Sequence, residues 1–245
     1  MLSYGQFAKF YDELMADAPY EQWIAFVQSQ VEQAAIPTET LVDLGCGTGT
    51  ITIPLAELFT NVIGVDLSAE MLTIAQEKLT TQQQIQWIEA DMSEMVFANE
   101  SVDCITILCD SLNYVIDQED VQTTLTNCYR ALKPGGMLIF DVHTMTKIHE
   151  VFDDFSENVI GEDFSYIWNS FVLGEGEVEH ELTFFVETDS GLYQRFDELH
   201  HQKTYSEEDY KTMISESGFS KICTYDSHEV GFFEPNMRKF FVCRK

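Results

Sequence analysis

The chain has 245 residues, of which 45% are hydrophobic, and a formal net charge of −29 from 42 acids and 13 bases. This length and apolar content argue against disorder and predict one well-buried domain with an insertion or small lid. The acidic excess argues against binding to nucleic acid or anionic membranes, which depends on lysine and arginine. No apolar run reaches 18 residues, and residues 1–10 lack a signal-peptide pattern, so we expect a soluble, cytoplasmic protein.

The first 150 residues show alternating helix and strand patterns. Apolar residues at helical spacing predict two N-terminal helices, Tyr4–Met15 and Tyr20–Ala35. Strands are then predicted at Thr40–Leu44, Asn61–Asp66, Ile85–Glu89, Val102–Cys109 and Met137–Asp141, with helices at about Gly49–Phe59, Ala69–Leu79 and Glu119–Leu132. This alternation implies right-handed crossovers and an α/β fold with a doubly wound, mostly parallel, Rossmann-like sheet.

The pattern changes after strand five. Three alternating segments predict an antiparallel β meander at Phe164–Leu173, Val178–Thr188 and Leu192–Gln202. A helix at Glu207–Ser217 and strands at Ile222–Tyr225 and Lys239–Cys243 should complete the main sheet. The expected organisation is a helical cap at 1–37, a cofactor-binding core at 38–149, a β insertion or lid at 150–205, and C-terminal core elements at 206–245.

The insertion is strongly acidic, with 17 acids and two bases in residues 150–209. It follows strand five and can fold over the carboxyl edge of the sheet, which favours a lid. A dimerisation sheet or a solvated acidic face remains the alternative.

The most informative segment is Leu41–Thr50, LVDLGCGTGT, an apolar strand with glycines at 45, 47 and 49. Glycines allow left-handed backbone angles and let the main chain approach a ligand. The next strand ends in Asp66, where an acid can accept hydrogen bonds from both ribose hydroxyls. The segment therefore predicts an adenosine cofactor at the carboxyl ends of the strands.

Two features disfavour a dinucleotide. Thr50 stands where the dinucleotide motif has its last glycine or alanine, and Asp43 would repel a pyrophosphate. A carboxylate suits a cofactor that carries an ammonium group and a sulfonium. The acid-x-Gly-x-Gly-x-Gly pattern of Asp43 to Gly49 resembles the first motif of the class I S-adenosylmethionine-dependent methyltransferases, and further motifs follow in order up to Asp141.

The resemblance implies a seven-stranded methyltransferase sheet and a set of cofactor contacts. It implies that Asp66 contacts the ribose and that Leu67 is the next contact along the chain. It implies that Asp91 and Met92 contact the adenine and that Cys109 lies beside the methionine part. In the N-terminal helix it implies that Tyr11, or secondly Tyr4, contacts the cofactor carboxylate. The full set implied for S-adenosyl-L-methionine is Tyr11, Asp43, Gly45, Cys46, Gly47, Gly49, Asp66, Leu67, Asp91, Met92 and Cys109.

Methyl transfer from a sulfonium is an in-line displacement that depends mainly on placing the acceptor. A base is needed only when the acceptor must lose a proton. We take Asp110 after strand four, His143 after strand five and His201 of the meander as candidates, and strand alternation sends His200 to the face opposite His201. The six cysteines and the histidines show no metal spacing, so no metal is expected. No cation adjoins Cys46, Cys104 or Cys109 in the sequence to favour a catalytic thiol.

The leading hypothesis is a methyltransferase for a small-molecule acceptor, releasing S-adenosyl-L-homocysteine, as a monomer or as a homodimer through the β insertion. An RNA or protein methyltransferase is the second hypothesis, although the charge disfavours RNA. A non-catalytic S-adenosylmethionine-binding regulatory protein is the third, and a nicotinamide dehydrogenase is the last. The pattern alone does not identify the acceptor atom.

Overall fold

The computed structural model describes residues 4–80, 84–161, 164–188, 190–233 and 235–245. Within them the chain forms two β-sheets. The strands of the larger sheet are β1 (Thr40–Leu44), β2 (Asn61–Asp66), β3 (Ile85–Glu89), β4 (Val102–Ile107), β5 (Leu132–His143), β10 (Lys221–Asp226) and β11 (Arg238–Arg244). Their spatial order is β10-β11-β5-β4-β1-β2-β3.

Strands β1 to β5 of the larger sheet pair in parallel, whereas β11 runs antiparallel to β5 and to β10. This confirms the predicted seven-stranded doubly wound sheet. The parallel strands all point the same way, so their carboxyl ends meet at one edge, where ligands bind in open α/β sheets.

The helices follow the predicted alternation, with two differences: the short helix Ser227–Val230 has no predicted counterpart, and the helix after the glycine turn is shorter than predicted. They are α1 (Tyr4–Leu14), α2 (Tyr20–Ala34), α3 (Thr52–Leu55), α4 (Ala69–Lys78), α5 (Gln118–Ala131), α6 (Glu207–Glu216) and α7 (Ser227–Val230). The helix predicted at about 49–59 is regular only over α3. Beyond it the chain tightens into i→i+3 hydrogen bonds, such as Leu58 N to Leu55 O at 3.0 Å, so the α-helical pattern ends early.

The insertion forms a four-stranded antiparallel sheet, one strand more than predicted. Its strands are β6 (Ser156–Ile160), β7 (Phe164–Gly174), β8 (Glu177–Glu187) and β9 (Tyr193–Lys203), in that spatial order. The sequence SENVI of β6 escaped prediction because all five residues are exposed, so it lacks the alternation of a half-buried strand.

The main sheet is covered on both faces. On one side α5 and α6 pack against it through Leu125 and Ile214, both fully buried. On the other side α2 packs through Trp23 and Val27. Burial of a large apolar side chain contributes about 1.5–3 kcal/mol, so these two layers hold the sheet edge rigid.

Helix α1 lies between α4 and the inserted sheet. Ala8 of α1 is buried with Met71 of α4 and with Leu182 and Phe184 of β8. The helix therefore joins the inserted sheet to the core beside the carboxyl edge. The side chain of Tyr4 lies outside the part of the chain that the structure describes.

Candidate active site

The glycine turn after β1 is fixed by backbone contacts to β2. Gly45 N and Cys46 N both donate to Val65 O, at 2.7 and 3.0 Å. Gly45, Gly47 and Gly49 have φ values of +72°, +53° and +75°. These angles suit glycine and are costly for residues that carry a Cβ, which explains the alternating glycines physically.

Asp66 at the end of β2 is held with its carboxylate against this turn. One oxygen accepts the Gly47 N–H at 2.8 Å, and the other accepts the Ser68 N–H at 2.9 Å. Burial raises the pKa of Asp66, and these backbone hydrogen bonds oppose that shift. Each carboxylate oxygen has a second lone pair, so the group can still accept two hydroxyl donors.

Asp43 at the end of β1 is buried below the turn. Thr52 Oγ1 donates to one oxygen at 2.5 Å and Thr106 Oγ1 to the other at 2.7 Å. Burial raises the pKa of Asp43 to about 6, against the opposing effect of these hydroxyls. The carboxylate thus braces α3 and β4 against β1.

This shift predicts a pH-dependent stability. The folded-state pKa of Asp43 is about 6 and its ordinary value is 3.8, so folding favours the protonated form. The unfolding free energy of the wild type should therefore fall, relative to that of Asp43→Asn, by about 1 kcal/mol between pH 5 and pH 8. Urea unfolding of both ligand-free proteins measures it, and a pH-independent difference would contradict the burial argument.

Two cavities share Gly45 as a wall at the carboxyl edge. The larger, of about 300 Å³, is lined by predicted adenosine contacts. They are Asp66, Leu67, Asp91 and Met92. The smaller cavity is lined by residues of the glycine turn and by residues predicted to contact the methionine part of the cofactor. They are Tyr11, Asp43, Cys46, Gly47 and Cys109. Of the predicted cofactor contacts, only Gly49 lines neither cavity. A Cβ at this position would lie 2.9 Å from the Trp87 ring.

Asp91 lines the larger cavity and Tyr11 lines the smaller one. Asp91 Oδ1 accepts the N–H and hydroxyl of Ser93 at 2.8 and 2.7 Å, which orients the acid after β3. Tyr11 projects from α1, and burial raises its pKa well above the usual value. Its hydroxyl therefore stays protonated and can donate to a carboxylate.

Helix α1 is attached to the glycine turn by Asp12. One oxygen of Asp12 accepts the Thr48 hydroxyl at 2.6 Å and the other pairs with Lys78 of α4 at 2.6 Å. Tyr11, the preceding residue of α1, and Thr48 of the turn both line the smaller cavity. These contacts place the N-terminal helix over the smaller cavity.

The turn after β4 carries one catalytic candidate, Asp110, and part of the cavity wall, Cys109. Cys109 and Asp110 both have left-handed φ angles, +56° and +54°. Their N–H groups donate to Asp141 of β5 at 2.8 and 3.2 Å. The carboxylate of Asp110 pairs with Arg238 of β11 at 2.8 Å, and it also accepts from Gln202 of β9 at 2.8 Å.

His143 lies beside Asp110 but away from the cavities. Its Nε2 is 3.3 Å from Asp110 Oδ2, and burial lowers the pKa of His143 to about 3 despite that carboxylate. Burial opposes ionisation of Asp110, but His143 and Arg238 outweigh it and hold the pKa of Asp110 well below the usual value. Among the described residues that line the two cavities, neither His143 nor Asp110 occurs.

The structure does not bring His201 to the other candidates. It faces the outer side of β9, where its Nε2 lies 2.7 Å from Glu177 Oε1. Alternation along β9 turns His200 inward instead, with Nδ1 at 3.2 Å from the hydroxyl of Tyr114. Tyr114 lines the larger cavity, so His200 is the histidine of this strand nearest the site.

The cysteines of the site are poor nucleophiles. Burial raises the pKa of both Cys46 and Cys109 well above the usual value. A thiolate is the reactive form, so these thiols pack as small apolar groups.

The charged C-terminal residues do not form an open basic patch. Arg238 is buried against Asp110 and Asp141, and Lys239 pairs with Glu207 and Asp226. These two residues form, with Arg244 and Lys245, the cluster of bases at the end of the sequence, and ion pairs engage the first two of them.

The described part of the chain contains neither a metal-ligand cluster nor a membrane-spanning helix. No group of three or more His, Cys, Asp or Glu side chains there could hold a metal ion. None of its helices is both long and apolar enough to cross a membrane.

A doubly wound sheet with this glycine turn and this acid after β2 defines a nucleoside-cofactor-binding protein of the Rossmann-like class. A family model described as a methyltransferase domain matches residues 41–136. A protein of Geobacillus sp. (strain WCH70), named as a candidate methyltransferase, is 42% identical over 100% of both chains. A second candidate methyltransferase, from Bacillus subtilis (strain 168), is 43% identical over 88% of this chain and 86% of its own.

A solved structure extends the likeness to the whole fold. The crystal structure of a S-adenosylmethionine-dependent methyltransferase from Clostridium acetobutylicum ATCC 824 matches with a TM-score of 0.87 and 30% identity, over 98% of each chain. The present chain belongs to the S-adenosylmethionine-dependent methyltransferase family, and it is an enzyme of that class.

The residues present fit S-adenosylmethionine. Gly45 stands between the two cavities, and a Cβ there would come within 2.5 Å of the Ser111 Cβ, so the backbone leaves no room for a side chain. Asp66 opens onto the larger cavity, where it suits a ribose diol.

Several residues of the site were not anticipated from the sequence. Asp12, Tyr20, Ser111, Asp141 and Arg238 contact the turns or line the cavities. Only Asp12 carried a signal, since it follows Tyr11 in the helix that the family resemblance had singled out. Arg238 and Asp141 lie 97 residues apart, and no local pattern predicts such a pair.

Proposed function

We propose that this enzyme transfers the methyl group of S-adenosylmethionine to a small-molecule acceptor by in-line displacement and releases S-adenosylhomocysteine. The bound cofactor supplies an activated methyl group on a sulfonium. The chain supplies binding and orientation: Asp66 holds the ribose, Asp91 and Met92 the adenine, and Tyr11 the carboxylate end. The glycine turn and Cys109 form the wall beside the methionine part.

The small-molecule proposal rests on the packing of α1 and the inserted sheet beside the carboxyl edge of the main sheet. Helix α1 and the inner face of the inserted sheet are packed together through Leu182 and Phe184. His200 Nδ1 of β9 lies within hydrogen-bond distance of the Tyr114 hydroxyl. Tyr114 lines the larger cavity, so the inserted sheet contacts the core at that cavity. Because these elements cover the carboxyl edge of the sheet, we expect a small acceptor enclosed beneath them rather than an RNA or a protein.

The proposed catalysis relies on placement and needs no side-chain base. His143 and Asp110 stand behind the wall that includes Cys109, so we assign them to holding that wall. His201 lies outside the proposed site. A neutral amine, a thiolate or a stabilised carbanion can accept the methyl group without proton removal by the protein.

The test is a turnover assay with S-adenosylmethionine carrying a deuterated methyl group. Separate pools of small amines, phenols and quinols, thiols, bulk RNA and basic peptides are supplied, and S-adenosylhomocysteine and labelled products are followed by mass spectrometry. Labelled product in a small-molecule pool supports the proposal. Labelling only of RNA or peptides contradicts it. The matched Asp66→Asn variant, assayed at the same cofactor concentration, should give at least about tenfold less product.

A further inference from the structure

The turn after β4 has an unusual backbone. Six non-glycine residues in the described part of the chain have positive φ, and only Cys109 and Asp110 are consecutive. Each left-handed non-glycine residue costs about 1–2 kcal/mol, so neighbouring groups must hold this turn. Cys109 lines the smaller cavity, so the strained segment is also part of its wall.

One buried carboxylate holds the turn. Asp141 is fully buried, and its Oδ1 accepts the Cys109 N–H at 2.8 Å while its Oδ2 accepts the Asp110 N–H at 3.2 Å. Trp23 Nε1 of α2 also donates to Oδ1, at 2.9 Å, and Arg238 Nη1 donates to Oδ2. Successive backbone N–H groups in such a turn form a concavity that binds an anion.

A single arginine pairs with both carboxylates at the turn. Arg238 Nη1 bridges Asp141 and Asp110, and its guanidinium lies 5.0 Å from the ring centroid of Trp23. Asp110 in turn accepts from Gln202 of β9. The turn therefore connects α2, β5, β11 and the inserted sheet at the edge of the smaller cavity.

We propose that Asp141 is a positioning residue for the cofactor: it holds the Cys109–Asp110 turn in its left-handed conformation and so shapes the wall that receives the methionine part. This inference rests on the proposed placement of that part in the smaller cavity. Asp141 itself lies behind the wall and acts only through the turn.

The test compares two ligands on Asp141→Asn. Asparagine keeps one carbonyl acceptor but brings an N–H₂ group against the donors, so the turn loses one of its two anchors. The dissociation constant of S-adenosylhomocysteine should rise about tenfold or more, as measured by calorimetry. That of 5′-methylthioadenosine, which lacks the amino-acid part, should change by less than about threefold. Equal weakening of both ligands, or no weakening of either, overturns the proposal.

Trp23→Phe is the matched control. It removes one hydrogen bond from the same carboxylate and leaves both backbone N–H groups of the turn bonded. Its melting temperature should fall, whereas its affinity for S-adenosylhomocysteine should stay within about threefold of wild type. If Trp23→Phe weakens binding as much as Asp141→Asn does, loss of stability explains both and the proposal fails.

A second variant tests the strain directly. Glycine at position 109 adopts a positive φ without cost, so Cys109→Gly combined with Asp141→Asn should bind S-adenosylhomocysteine more tightly than Asp141→Asn alone. Equal or weaker binding by the double variant contradicts the proposal.

If the variants do not fold, amide hydrogen exchange of the wild type tests the proposal. The Cys109 and Asp110 amides of wild type should exchange slowly, and rapid exchange would overturn the proposal. Absence of S-adenosylhomocysteine binding to wild type would instead refute the proposed function, which separates the two failures.

Discussion

Asp66→Asn is expected to weaken S-adenosylhomocysteine binding on the order of 100-fold. The carboxylate faces the larger cavity and is already oriented by Gly47 N and Ser68 N. Hydrogen bonds to a charged group contribute about 1.5–3 kcal/mol each, and an amide can accept through only one of its two polar atoms. Calorimetric titration of the variant and wild type measures the loss.

Glu89→Gln is the matched control for that substitution. Glu89 pairs in register with Asp66 on the adjacent strand and is exposed. Its substitution removes the same charge from the same sheet edge and should leave the affinity within about threefold. If both variants bind equally well, or lose affinity equally, the ribose role of Asp66 is wrong.

Gly45→Ala should be far more harmful than Gly47→Ala, although both replace a glycine of positive φ. An alanine at either position costs about 1–2 kcal/mol of backbone strain. At position 45 the new Cβ would also lie 2.5 Å from Ser111 Cβ and 3.2 Å from Met92 Cε, whereas at position 47 no heavy atom lies within 4 Å. Overpacking adds about 1–3 kcal/mol, so Gly45→Ala should be destabilised by about 3 kcal/mol in total.

Urea unfolding of the two variants measures this contrast. Ser111→Gly removes the side chain that the new Cβ meets, so it should recover part of the stability lost by Gly45→Ala and none lost by Gly47→Ala. Equal destabilisation by the two alanines, or no recovery, would show that the close approach of Gly45 to Ser111 does not limit this position.

The parts of the fold that the sequence predicts are those with a local physical signature. Buried strands such as β1 and β4 are short, mainly apolar runs, and the alternating glycines mark a turn built on positive φ angles. The pattern predicts that Asp66, the last residue of β2, binds ribose; this residue lines the larger cavity, and its role there stays a prediction.

The parts that the sequence does not predict depend on contacts between distant elements. The exposed strand β6 has no apolar alternation, and its pairing with β7 alone defines it. Arg238 was visible only as one of several C-terminal bases, yet it is buried 2.8 Å from Asp110, 128 residues earlier in the chain. Inward placement of His200 rather than His201 depends on the register of β9 against β8.

The most direct test of the cofactor site is a crystal structure with S-adenosylhomocysteine. We expect both ribose hydroxyls on the Asp66 carboxylate, the adenine beside Asp91 and Met92, and the amino-acid part between Tyr11, Gly45 and Cys109. A ligand whose ribose lies away from Asp66, or whose amino-acid part leaves the smaller cavity empty, would contradict it.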